Sequence, residues 1–264
     1  MNTPQPQNVV TQLVDDLTAG RKVVIPSFDL PQAQAMKALL TDLSEHLRAM
    51  PTGKSVEEAI RQFIGKALGI ADVSTIKVVS QGRHQFDQGF VVAAGTSQVT
   101  LTGNGVLLAL GQASVVARGR ATIFGTDNAR LKLYDYSVAS LSGSVQVNSY
   151  DYSSGIAEGT VRGVARNRSE WKLFGTADFD AFDNTFFYGR EACSIRAYGS
   201  TKLIGRGQVR AQLFDAAHGW FTDESEIELY GSSIVYAEPT ARAHILGSGA
   251  RLMPLKDLAS AWAA

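Results

Sequence analysis

Between Gly89 and Ser248 apolar and polar positions alternate within a longer period of eight. Counted from Gln81, residues 81–248 divide into 21 octets with no insertion. From Gly89 onward, places 1, 3 and 5 of the octet hold no charged residue. Place 3 carries the bulk: Val91, Val99, Leu107, Val115, Ile123 and Leu131 early, then Trp171, Phe179, Phe187, Ile195 and Leu203. Places 2 and 4 carry most of the charge outside the turns. Period-two alternation marks a strand with one buried face. Place 7 is Gly in eleven octets and Asp in seven, with Asn167, Glu191 and Pro239 in the others. Gly, Asp and Asn accept left-handed or turn backbone at low cost, so the pattern predicts a turn every eight residues. Strands this short cannot bury a face alone and must stack on copies of themselves.

The outward places set the number of strands per coil. At place 6, Tyr134, Tyr150, Phe182, Tyr198, Phe214 and Tyr230 keep a 16-residue spacing that only Arg166 interrupts. At place 2, Arg162 and Asp178 stand 16 apart, as do Arg210, Glu226 and Arg242. Opposite charges stacked on neighbouring strands are mildly favourable and like charges are not. The expected fold is therefore mainly β, a two-sheeted parallel β-solenoid of about 16 residues per coil. Some ten coils at about 4.8 Å each give a rod about 50 Å long.

Before the octets the periodicity changes. Val9, Val10, Leu13, Val14 and Leu17 lie at helical spacing between Asn8 and Leu17, and Lys22–Phe28 reads as a short edge strand. Pro31 opens a helix with the stripe Met36, Leu39, Leu40, Leu43, Leu47 and Met50, which Pro51–Thr52–Gly53 ends. Ser55 and Glu58 form a capping-box pattern before Val56, Ile60, Phe63, Ile64 and Leu68. Residues 72–80 read as the entry strand and the stretch from Pro254 as a short closing helix. The expected organisation is an N-terminal helical cap or interaction region (1–71), a β-solenoid (72–248) and a C-terminal cap helix (249–264).

Sorting octets by parity gives two unlike sheets. One carries Arg130, Lys132, Arg162, Asp178, Asp180, Arg196, Arg210, Glu226 and Glu228 outward. The other carries Phe90, Val92, Val106, Leu108, Phe124, Val138, Ile156, Phe186, Tyr188, Ile204, Trp220, Ile234 and Tyr236. An apolar face of that extent marks an interface. Phe124, Ile156, Phe186, Tyr188, Ile204, Trp220, Ile234 and Tyr236 are the candidate contact residues. Pairing of two copies is the first reading, cover by the chain's own helices the second, and a different protein the third. The aromatic row Tyr134, Tyr150, Phe182, Tyr198, Phe214, Tyr230 is a second candidate surface, able to stack sugars or bases if the ring faces are open. Its structural role, filling a solenoid corner, is the simpler reading.

Composition narrows the chemistry. The 264 residues carry 25 basic and 25 acidic side chains, so no bulk charge draws the chain to nucleic acid or an anionic membrane. An arginine-rich outer surface, from Arg118 to Arg210, leaves nucleic acid as a weak alternative partner. The polar N-terminus has no secretory pattern and no apolar run spans a bilayer, so the expected location is cytoplasmic. The single cysteine, Cys193, occupies inward place 1. His46, His84, His218 and His244 are scattered, no metal or cofactor motif is present, and none is expected. Asp135 and Asp151 sit one coil apart in turns and read as turn residues rather than cation ligands. Asp178 and Asp180, between Arg162 and Arg196, could act on an acidic sugar. Two cross-coil ion pairs explain them more simply, and the unbroken register supplies no loops for a cleft.

The segments LYDYSV (133–138), RAYGSTKL (196–203) and ELYGSSIV (228–235) resemble the tandem octapeptides of the A-Y-[GD]-N-A-T-V type found in bacterial and phage proteins. The resemblance covers about residues 81–248 and implies a β-solenoid; it carries no activity with it. The expected function is a non-enzymatic protein-interaction module, an inhibitor or assembly factor of bacterial or phage type, that forms a homodimer through the apolar sheet. The alternative is a carbohydrate-active β-helix, either a polysaccharide lyase or hydrolase or a glycan binder.

Overall fold

The computed structural model describes residues 30–50 and 55–255. They form two compact units, one ending at Val145 and one beginning at Gln146. Each is a parallel β-solenoid, and the first also carries two helices. The Asn8–Leu17 helix and the Lys22–Phe28 strand lie outside the described residues.

In the first unit, α1 (Leu30–Arg48) and α2 (Val56–Leu68) fall where the apolar stripes place them. The Ser55 side chain caps α2 by accepting the Glu58 N–H at 3.4 Å, and Gly69 closes it in a left-handed conformation. A single 3-10 turn (Val73–Thr75) precedes β1 (Lys77–Val79). Then come β2 (Arg83–Ala93), β3 (Gln98–Ala109), β4 (Ser114–Gly119), β5 (Thr122–Gly125), β6 (Arg130–Leu133) and β7 (Val138–Leu141). The 16-residue register holds from Gln88↔Asn104 onward. Before it, Arg83↔Gln98 is one residue shorter, and a bulge of Thr102 and Gly103 opposite Asp87 absorbs the difference. The octet count is thus regular in sequence one octet before the coil is regular in space.

In the second unit the two ladders separate cleanly. One holds β8 (Gln146–Ser149), β10 (Arg162–Ala165), β12 (Asp178–Ala181), β14 (Ser194–Ala197), β16 (Arg210–Leu213), β18 (Glu226–Leu229) and β20 (Arg242–Ile245). The other holds β9 (Ser154–Gly159), β11 (Glu170–Gly175), β13 (Phe186–Arg190), β15 (Lys202–Arg206), β17 (His218–Phe221), β19 (Ile234–Ala237) and β21 (Arg251–Pro254). Partners stand 16 residues apart until Ile234↔Arg251, where one extra residue enters. Arg251–Pro254 is a strand, although the sequence pattern suggests a helix starting at its end. Pairing with β19 outweighs the weak local helix signal, and the remainder of the expected closing helix lies outside the described residues.

Place 7 is the left-handed turn position. Asp127, Asp135, Asp151, Asn167, Asp183, Glu191, Asp215 and Asp223 all have φ between 55° and 66°. The acids also bind: Asp127, Asp135, Asp183, Glu191, Asp215 and Asp223 each accept the backbone N–H of the turn residue 16 positions earlier, at 2.7–3.1 Å. A carboxylate therefore offsets backbone strain by satisfying an amide that the left-handed turn leaves without a main-chain acceptor. At place 1, buried Ser and Thr hydroxyls donate to the turn carbonyl three residues back, as in Ser97→Ala94 at 2.8 Å and Thr201→Tyr198 at 2.7 Å. That is why polar residues are tolerated on the inner face.

The core of the second unit is built on size compensation. Trp171, Phe179, Phe187 and Phe221 are fully buried. Phe179 packs between Trp171 and Phe187 at ring separations of 5.2 and 5.7 Å. A Cβ at Gly163 would overlap the Phe179 ring, and one at Gly205 or Gly219 would overlap that of Phe221. The Trp171 indole N–H donates to Ser149 Oγ at 2.9 Å, so its one polar atom is satisfied. Burial pushes the Cys193 thiol up to about 12, which suits a core residue rather than a reactive one.

Candidate functional site

The helices of the first unit show what this solenoid does with an apolar face. Met36, Leu40, Leu43, Ile60, Ile64 and Leu68 form one cluster with Phe90, Val92, Val106, Leu108 and Phe124. These five sheet residues are thereby reduced to 5% exposure or less. Phe124, an expected contact residue, is buried within the chain and leaves the candidate surface. The apolar stripes of both helices are thus buried against this outward face.

A turn acid anchors this cover. Asp127 accepts Ser44 Oγ at 2.9 Å and the Gly111 N–H at 3.1 Å, and Arg48 reaches its other oxygen at 3.1 Å. Because Gly accepts the same left-handed turn, Asp127→Gly keeps the backbone while removing the tie to α1 and the acceptor of the Gly111 N–H. The expected result is a loss of about 1–2 kcal/mol, felt in α1 and at the Gly111 turn. Native-state hydrogen exchange checks it: α1 amides should speed up while those of β5 and β7 stay protected.

In the second unit the corresponding sheet presents two columns. The first runs Ile156, Lys172, Tyr188, Ile204, Trp220, Tyr236 and Met253. The second runs Ser154, Glu170, Phe186, Lys202, His218, Ile234 and Arg251. Glu170 and Lys172 are exposed and interrupt the apolar surface at β11. Ile156 is buried and lies beyond Lys172, apart from the rest. The continuous patch is Phe186, Tyr188, Ile204, Trp220, Ile234 and Tyr236 on β13 to β19, all half-buried. Sorting by octet parity found these residues but passed over the charges sharing their strands. Trp220 and Tyr236 lie with rings nearly parallel at 6.5 Å. The Trp220 indole nitrogen is shielded from solvent and has no acceptor among the described residues. Burial, aided by the neighbouring Lys202 charge, pushes the His218 pKa below its ordinary value.

At the corner, Phe182, Tyr198, Phe214 and Tyr230 stack at 4.8, 4.7 and 4.6 Å with interplanar angles of 7–9°. Arg166, which interrupts the row in sequence, continues it in space, with its guanidinium 4.4 Å from the Phe182 ring centre. In the first unit Arg118 covers Tyr134 in the same way, also at 4.4 Å. Tyr150 opens its row within the second unit. Both faces of Phe182, Tyr198 and Phe214 are occupied by neighbours in the row. A sugar or base that needs a free face finds none on these three, so the row fills the corner and shows edges outward. The Tyr230 hydroxyl donates to Glu228, which also accepts from Gln212. These bonds hold the Glu228 carboxyl below the usual range, Gln212 first, and raise the Tyr230 hydroxyl.

On the polar sheet, Arg196 pairs with Asp180 and lies 3.3 Å from Asp178. The pair of carboxylates is thus joined by one guanidinium, with Arg210 engaged by Glu226 at 3.4 Å. Among the described residues no group of three or more His, Cys, Asp or Glu side chains converges as a metal site would require. None of the described helices is long and apolar enough to cross a membrane. No protein-family model matches the sequence, and no curated protein or solved structure is significantly similar to it.

Proposed function

We propose that this chain is a non-enzymatic protein-interaction module that self-associates through the β13–β19 face, in the manner of a bacterial or phage inhibitor or assembly factor. The observation that carries the reading is the contrast between the two units. Where the apolar face is covered by helices, its side chains are buried; from Phe186 to Tyr236 the same kind of face stays half-open. A second copy offers the same apolar columns, and a two-fold arrangement lets each bury the other's. The carbohydrate-active alternative has weaker support, because its two carboxylates are joined through Arg196.

The test is mass in solution. Sedimentation velocity at micromolar concentration should give a dimer, and Trp220→Glu should weaken it at least about 30-fold. A strict monomer, or a dimer indifferent to Trp220→Glu, overturns the reading. A pH arm adds a second check. His218 already favours its neutral form in the single chain, and burial in an interface would lower its pKa further. Association should therefore be intact at neutral pH and decline only as pH falls through that already lowered value. His218→Gln should flatten that decline.

A further inference from the structure

One column of the apolar sheet in the second unit complements its own reversal. From β11 to β21 it runs Glu170, Phe186, Lys202, His218, Ile234 and Arg251. Read backwards, the ends exchange acid for base, the next positions exchange one apolar residue for another, and the centre exchanges Lys202 for His218. The neighbouring column is apolar from Tyr188 to Met253, so reversal sets apolar on apolar there too. A two-fold axis along the strand direction produces this reversal. Placed between β15 and β17, the middle of the patch, it lays β13 over β19 and β15 over β17 of the other copy, and any other centre covers less of the patch. Phe186 then meets Ile234 and Lys202 meets His218, each contact occurring twice. His218 favours its neutral form, so a ring nitrogen can accept from the Lys202 ammonium. The outer strands bring Glu170 over Arg251, both exposed side chains.

The other way of laying two such faces together fits less well. An axis along the stacking direction sets each column on the neighbouring one of the other copy. Glu170 then meets Lys172, but Lys202 lies on Ile204 and His218 on Trp220. Each copy holds an ammonium against an apolar side chain that supplies no acceptor, which is costly once water is removed. The reversed arrangement puts apolar on apolar, ammonium on imidazole and acid on base.

We propose that two copies of this chain pair in the reversed arrangement and that Glu170 and Arg251 are the residues that select it. The proposal rests on self-association through the β13–β19 face and adds its register and its specificity. Within one chain the two side chains are five ladder steps apart, about 24 Å, where salt screens one charge from the other. Rescue of one by the other therefore reports a contact between copies. Sedimentation velocity of the full chain is the test. Glu170→Lys and Arg251→Glu, both changes to exposed side chains, should each weaken the dimer by on the order of ten-fold. The double variant Glu170→Lys/Arg251→Glu should regain wild-type association. In an equimolar mixture of the two single variants, native mass spectrometry should find heterodimer above the share that random mixing gives, because only that pair sets opposite charges at both rims. A dimer indifferent to the single changes, or a double variant no tighter than either single one, overturns the arrangement and leaves the self-association reading in place. A strict monomer overturns that reading and the arrangement with it.

Discussion

Replacing Phe221 with alanine is expected to lower the unfolding free energy by about 3–5 kcal/mol, the usual cost of removing a fully buried aromatic ring. The ring is wholly buried, and it occupies space that two glycines leave for it. Neither Gly205 nor Gly219 has a side chain that can turn into the vacancy, so the cavity stays open and the site sits at the upper end of the range. Neither glycine has a left-handed backbone, so its smallness serves the ring and not the turn. The converse change follows: Gly205→Ala alone should destabilise by about 1–3 kcal/mol through overpacking. In the Phe221→Ala background the same Gly205→Ala change should be neutral or stabilising. Urea unfolding of the four proteins in a double-mutant cycle measures the coupling, and additive effects would contradict the packing described.

Introducing a charge beneath the helical cover should have a comparable effect on the first unit. Leu43 is fully buried in the cluster that α1 and α2 form with Phe90, Leu108 and Phe124. Leu43→Asp loses the apolar transfer energy of a leucine and places an unpaired carboxylate there, for a cost of about 3–5 kcal/mol. The ladders β3–β4 and β5–β7 do not depend on that side chain. The expected outcome is therefore release of the helices with the strands retained. Hydrogen exchange should lose protection in α1 and α2 while β3 to β7 keep theirs. A hydrophobic dye should bind the uncovered Phe90 and Phe124. Global unfolding instead would show that the strands need the cover to persist.

The residues of the turns and the inner face were legible because their physics is local. Asp127 and Asp215 announce a left-handed turn by residue type alone, and strict exclusion of charge from places 1, 3 and 5 identifies the inner face. The 16-residue coil was legible from Tyr198, Phe214 and Tyr230, since like rings at that spacing become neighbours when two strands make a coil. Arg166 reads as an interruption because a guanidinium and an aromatic ring look unlike in sequence, yet both are flat and stack on a neighbouring ring. Phe124 differs from its sequence expectation for another reason. Whether an outward apolar residue meets solvent, a helix or another molecule depends on a segment eighty residues away, and no local pattern encodes that. The break at Glu170 and Lys172 was visible all along, but the patch boundary matters only once neighbouring strands are known to be in contact.

The sequence by itself determined the octet, the turn positions, the two-strand coil and the amphipathic helices, because each follows from short-range sterics or from a period that stacking must respect. Only the tertiary structure decided where α1 and α2 lie and which part of the apolar sheet stays open. Those outcomes depend on how much surface each packing removes from water, a quantity that belongs to the assembled fold and not to any stretch of chain.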